Sequence, residues 1–166
     1  MSAYSNIAKI TAPKVNDVYH RRRLFKLLDD ALQKPVVWIS APAGSGKTIL
    51  MADYLHQTNL PTLWYQVDEG DEDIASFFYY LGLAGQEMNL SQQQELPVLT
   101  PEYLAGLPTF ARNFFRDLFS RFTQPSLIVF DNYQDVSIES QIHKLLSLAI
   151  EELPENIHLV FISRME

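Results

Sequence analysis

The 166-residue chain suits one domain with a single core and leaves little room for a second. Its 47% apolar content is that of a globular domain, and 13 Lys+Arg against 20 Asp+Glu give a net charge of −7, a poor match for direct binding to a nucleic-acid backbone. The absence of Cys excludes a disulfide framework and a thiolate metal site, no apolar run approaches the roughly 18 residues of a membrane helix, and the N-terminus lacks the apolar core of a signal peptide, so a soluble cytoplasmic protein is predicted.

Residues 1–16, broken by Pro13, read as an arm that packs on the domain. Residues 17–33 carry Leu24, Leu27, Leu28, Ala31 and Leu32 on one helical face, with Asn16 or Asp17 to start the helix and Pro35 to end it. The stretch 1–35 is thus an arm and a helix packing on a core that runs from residue 36 to 166. Val36-Val37-Trp38-Ile39-Ser40 is a short apolar run before a Gly-rich loop, the signature of a buried parallel strand. A helix is predicted from about Lys47 to Gln57, and a second strand over Leu63–Val67, ending in the acidic cluster Asp68, Glu69, Asp71, Glu72 and Asp73. That cluster reads as a solvated loop with helix-capping carboxylates, the alternative being an influence on Mg²⁺.

Ile74, Phe77, Phe78, Leu81 and Ala84 mark the next helix, and the Gln-rich segment from Met88 to Pro97 reads as a linker or mobile loop. Thr100-Pro101 can cap and open a helix with Tyr103, Leu104, Leu107, Ala111, Phe114, Leu118 and Phe122 on its apolar face. The rings of Phe77, Phe78, Tyr79 and Tyr80 read as core on one side, and Phe110, Phe114, Phe115 and Phe119 as core. Ser126–Phe130 is a third strand ending at Asp131. Ile138, Ile142, Leu145, Leu146, Ala149 and Leu153 form a further helical stripe, and His158–Ile162 a fourth strand. Strands alternating with helices define an α/β fold with a parallel sheet. The chain stops directly after its fourth strand, which reads as a fragment of a larger protein.

The loop Ala41–Thr48 (APAGSGKT) follows the Walker A pattern, with Ala41 at the first Gly position and Gly44, Gly46, Lys47 and Thr48 in place. Such a loop turns backbone N–H groups inward around phosphates, so Ala43, Gly44, Ser45 and Gly46 are candidate phosphate binders. The helix that follows adds the positive end of its dipole. Lys47 would place its charge on the β- and γ-phosphates of ATP or ADP, and Thr48 would offer its hydroxyl to Mg²⁺. Four apolar residues ahead of Asp131 match Walker B, which makes Asp131 the second Mg²⁺ candidate. Asn132 stands where many hydrolysing relatives carry a second acid. An amide orients water but is a poor proton acceptor, so slow hydrolysis is predicted, with nearby Asp135 as a substitute. The four His share no ligand spacing, and no His-based metal site is predicted. Arg21 and the segment before it are placed beside the base, the alternative being a solvated basic helix start.

Together these residues resemble the ATPase module of the signal-transduction ATPases with numerous domains (STAND), and within them the maltose-regulator-like group of large LuxR-type transcriptional regulators. The likeness covers about Val18 to Arg164. It rests on Arg21-x-Arg23-Leu24, SAPAGSGKT, Trp64, Val67–Asp71, Phe77, Tyr80-Leu81, Phe130-Asp131-Asn132-Tyr133, Leu153-Pro154 and His158–Arg164. Ala41 is usual in that group, whereas Asn132 departs from its more frequent second Asp. The resemblance implies a P-loop three-layer sandwich, here ending before the helical domains. It also implies a switch between an ADP-bound monomer and an ATP-bound oligomer, and a γ-phosphate-contacting role for Arg164. Inducer and DNA would engage domains outside these residues. A spatial strand order of 2-3-1-4 is expected, with the Asp131 strand beside the P-loop strand. The competing reading is a free-standing P-loop kinase or ATPase acting on a small molecule, although no Arg-rich lid follows Asp131. A pure interaction module that has lost its nucleotide fits poorly with the intact Gly44, Gly46, Lys47, Thr48 and Asp131.

Overall fold

The computed structural model describes residues 7–88 and 94–165. Four strands, β1 (Val36–Ala41), β2 (Thr62–Gln66), β3 (Ser126–Asp131) and β4 (Ile157–Arg164), form one sheet in which every pairing is parallel. Among the described residues five α-helices complete it: α1 (Arg22–Ala31), α2 (Lys47–Thr58), α3 (Ile74–Met88), α4 (Leu107–Phe119) and α5 (Gln141–Glu151).

The period-2 geometry of the strands sorts their side chains into two cores. In β3, Leu127 and Val129 face one way with Val160 and Ile162 of β4, onto Met51 and Tyr54 of α2 and Leu28 of α1. Ile128, Phe130 and Phe161 face the other way, onto α3, α4 and α5. The second core is aromatic. Phe78 meets Phe110 and Phe114 edge-on at 5.0 and 4.8 Å, and Phe130 stacks on Phe161 at 5.4 Å. Phe110, Phe114, Phe115 and Phe119 are all buried, as the spacing predicts, while Tyr79, next to the buried Phe78 on α3, is half exposed.

The strand order is β1-β4-β3-β2, or 2-3-4-1 read from the far edge, which corrects the expected 2-3-1-4. β4 lies between the P-loop strand and the Asp131 strand. Burial explains the placement. All six residues of β3 are buried, and β4 is nearly so, which suits the centre of a sheet covered on both faces. β1 carries a half-exposed Trp38 and an exposed Ser40, so it tolerates the edge. Right-handed crossovers complete the account: the chain runs out from β1 to β2, then back through β3 to β4, so α2 falls on one face and α3 to α5 on the other.

Local departures have local causes. α1 begins at Arg22, not at Asn16 or Asp17, because Asp17 sits at φ 52 and breaks the helical path. Pro101–Gly106 forms 3₁₀ turns ahead of α4, Thr100 makes no side-chain cap, and Tyr103 and Leu104 are exposed. Ile138 lies outside α5 and is exposed; Ser140 caps that helix, accepting from the Ile142 N–H at 3.3 Å. The acidic stretch is less solvated than its composition predicts. Asp71 is buried, accepting from the Tyr65 hydroxyl (2.6 Å), the Asp68 N–H (2.9 Å) and the Lys9 ammonium (2.9 Å). Burial and the adjacent Asp71 carboxylate push the Tyr65 hydroxyl far above the ordinary phenol range. Lys9, in the turn Ala8–Ile10, fastens the described part of the arm onto β2 and α3. The linker predicted between Met88 and Pro97 lies partly outside the described residues; its end packs down, since Leu96 is buried, as is Leu99 just past it.

Candidate functional site

The carboxyl ends of parallel strands are where an open α/β sheet binds its ligands. Here β1 ends in the loop 41–46, which passes directly into α2. Gly44 (φ 73) and Gly46 (φ 79) take left-handed backbone conformations that other residues adopt at a cost, and Gly46 is the N-cap of α2. At Gly44 the requirement is the backbone angle alone, since a Cβ there would meet no other protein atom.

Lys47 opens α2 and turns back over the loop. Its Nζ donates to the carbonyl oxygens of Ala41 (2.8 Å) and Pro42 (3.0 Å) and approaches Ser45 Oγ at 3.4 Å. Thr48 points across β4 to β3, where its hydroxyl donates to Asp131 Oδ1 at 3.0 Å. The same Oδ1 accepts the Asn132 N–H at 3.0 Å, and Asn132 adopts the left-handed conformation with φ 59. Burial pushes the Asp131 carboxyl above the usual range, against the pull of the Thr48 and Asn132 hydrogen bonds and the Lys47 charge.

A cavity of about 250 Å³ joins these groups; Gly44, Lys47, Thr48, Asp131, Asn132 and Arg164 are among its lining residues. Ala43 and Gly46 also border it. Asp135, the possible substitute acid, is exposed and is not part of the lining; it accepts from Gln134 Nε2 at 3.2 Å. Arg164 pairs with Ala41 in the β1–β4 register, and its N–H donates to Gln134 Oε1 at 3.0 Å. Gln134 lines the cavity too and ties the turn after β3 to the end of β4; nothing in its sequence context singles it out. Arg21, 24 residues upstream of Ser45, donates to the Ser45 carbonyl oxygen at 2.9 Å. The segment ahead of it borders a second cavity of about 210 Å³ that shares Gly46 and Ile49 with the first. Sequence reasoning missed Gln134, and it missed His20 and Asp53 because it weighed histidines only as metal ligands.

The donor set fits Mg²⁺. The Thr48 hydroxyl and the Asp131 carboxylate are hard oxygen donors 3.0 Å apart, and both residues line the cavity with Lys47.

The raised Asp131 pKa makes a stability prediction. The folded protein holds this proton more tightly than the unfolded chain, so the group's contribution to stability is lost as pH rises from about 4, the unfolded carboxylate value. The loss levels off once the folded-state carboxyl is ionised. Asp131→Asn keeps an oxygen for Thr48 and Asn132 and removes the buried charge. It is therefore expected to melt at a higher temperature than wild type at pH 7, with the gap shrinking toward pH 4. Equal melting curves at both pH values would contradict this.

The phosphate-loop helix and the acidic strand end meeting across a parallel sheet define a Walker-type P-loop ATPase fold. A Walker-type ATPase from Pyrococcus abyssi shares it, with a TM-score of 0.62 over 89% of this chain and 45% of that one, at 17% identity. The profile of the nephrocystin 3 N-terminal family matches residues 17–164, and the chain belongs to that family. It also resembles the HTH-type transcriptional regulator MalT, at 28% identity over 163 residues in Vibrio parahaemolyticus and 29% over 160 residues in Yersinia pestis. Each of these alignments covers 95% of the chain and 17% of the regulator, so the chain spans about a sixth of the length of those relatives. Among the described residues no helix is long and apolar enough to cross a membrane.

Proposed function

We propose that the chain is the ATP-binding switch module of a cytoplasmic, STAND-type transcriptional regulator, with slow hydrolysis resetting the switch. The observation that carries this reading is the 3.0 Å contact between Thr48 and Asp131, because it brings the two metal-binding positions of Walker A and Walker B together across an intervening strand. The loop 43–46 cradles the phosphates with backbone N–H groups, and Lys47 leaves its loop carbonyls to meet the β- and γ-phosphates. Thr48 and Asp131 would hold Mg²⁺, which would supply positive charge to offset that of the phosphates. Arg164 closes the γ-phosphate side, and Arg21 borders the base. The likeness to MalT, an HTH-type transcriptional regulator, supports a regulatory setting. In this reading inducer and DNA act through domains outside residues 1–166, and the bound nucleotide governs self-association. In this reading the stretch 1–35, of which residues 1–6 lie outside the described residues, is an arm and helix ahead of a core that begins at residue 36.

Calorimetric titration of the chain tests the reading. ATP and ADP are expected to bind at one site in Mg²⁺, and more weakly when EDTA removes the metal. Absence of saturable binding, or equal affinity with and without metal, would overturn it.

A further inference from the structure

Two adjacent residues ahead of α1 hold the segment 18–21 against the phosphate loop by different means. Arg21 reaches the loop itself: one guanidinium nitrogen donates to the Ser45 carbonyl oxygen, and the other would lie 3.1 Å from a Cβ placed on Gly46. His20 reaches the helix that follows. Its Nδ1 lies 2.9 and 3.0 Å from the two carboxylate oxygens of Asp53. Asp53 belongs to α2, six residues beyond Lys47, and is only 3% exposed. A carboxylate buried that deeply needs a donor, and among the described residues His20 supplies it. The pair therefore does more than decorate a surface: it satisfies a buried charge on the phosphate-loop helix with a ring from a non-helical segment.

The space enclosed by these two fastenings is the smaller cavity. Val18, Tyr19, Ile49 and Leu50 give it apolar walls, and Arg21 and Asp53 add polar groups. It shares Gly46 and Ile49 with the phosphate cavity, so the two lie side by side along the start of α2. Tyr19 is 88% exposed and Ile49 41%, an aromatic ring and a branched aliphatic chain left in water beside the loop. Such walls suit a flat heteroaromatic ring, which gains from stacking and from burying apolar surface.

We propose that His20 and Asp53 are positioning residues for the nucleoside half of the bound nucleotide. The pair locks the segment 18–21 onto α2 and so fixes the wall against which the base packs. This inference rests on the nucleotide reading above, but it divides the site in two: loop 43–48 governs the phosphates, and the His20–Asp53 lock governs the nucleoside. The lock also supports Arg21, the next residue in the chain, in its hold on Ser45.

Inorganic tripolyphosphate separates the halves, since it carries the phosphates and no base. With Mg²⁺ present, His20→Ala is expected to weaken ATP and ADP binding about tenfold while changing tripolyphosphate binding by less than about twofold. Asp53→Asn, which keeps an oxygen for the ring N–H, should fall between wild type and His20→Ala. The His20 side chain is 47% exposed, so its removal opens no core, and His20→Ala alone decides the matter if Asp53→Asn does not fold. Unchanged ATP affinity in His20→Ala overturns the proposal. So does an equal loss for ATP and tripolyphosphate, which would mark the pair as a general structural support. Failure of both ligands to bind wild type removes the nucleotide reading itself, and this inference with it.

Discussion

Lys47→Ala is expected to weaken binding of ATP and ADP by about a hundredfold or more, the range for removing one partner of a well-placed charge contact. The residue lines the phosphate cavity together with Thr48 and Asp131. It is held by the Ala41 and Pro42 carbonyl oxygens, with Ser45 Oγ farther off at 3.4 Å. These are neutral acceptors, and a phosphate oxygen carries full negative charge, so the exchange favours the nucleotide. The Ala41 carbonyl is not orphaned when Lys47 leaves it, since the Met165 N–H also donates to it at 3.1 Å. The fold should therefore survive the substitution: α2 keeps its Gly46 N-cap and its buried Met51 and Tyr54. Calorimetry on the folded variant checks this. An affinity within about threefold of wild type would show that the phosphates do not rest at Lys47. Tripolyphosphate should lose as much as ATP here, the opposite of the pattern expected for His20→Ala.

The contrast between the two halves of the site reflects what a sequence can display. The phosphate half is contiguous. Ala41–Thr48 names its own backbone conformation through Gly44 and Gly46, and its chemistry through Lys47 and Thr48. SLIVF before Asp131 is equally plain, since a strand buried on both faces must be apolar throughout. The order of the strands is a different kind of fact. SLIVF and HLVFI look alike locally, and what places β4 between β1 and β3 is the competition of whole strands for the sheet centre, with the half-exposed Trp38 of β1 conceding it. Thr48 and Asp131 still meet because the first turn of α2 reaches over the intervening strand, so adjacency of their strands was never required. The nucleoside half is assembled from residues 33 positions apart, His20 and Asp53, and no local pattern pairs them. Asp71 escapes for the same reason: its carboxylate looks like one more charge in an acidic loop until Tyr65 and Lys9 fold onto it.

Turnover is the second large effect, and the expected value lies below about 1 s⁻¹ at saturating Mg-ATP, under the low end of ordinary enzymes. Hydrolysis needs a water oriented toward the γ-phosphoryl group and charge stabilisation around it. The lining residue next to Asp131 is Asn132, whose amide can orient a water but cannot take its proton. Asp131 is committed elsewhere, with Oδ1 shared between the Thr48 hydroxyl and the Asn132 N–H. Asp135 does not line the cavity and is engaged by Gln134. Charge stabilisation is better provided for, since Lys47 and Arg164 both border the cavity, and the Gln134 contact fixes the Arg164 backbone. The missing element is therefore a proton acceptor, worth about 10²–10⁴ in rate where one is well placed. Asn132→Asp supplies a carboxylate at a left-handed position that Asp tolerates as readily as Asn. Phosphate release from that variant should rise by about tenfold or more over wild type. A wild-type turnover above 1 s⁻¹ would mean that another group activates the water. An unchanged rate in a folded, ATP-binding Asn132→Asp variant would mean that position 132 is not where the acid acts.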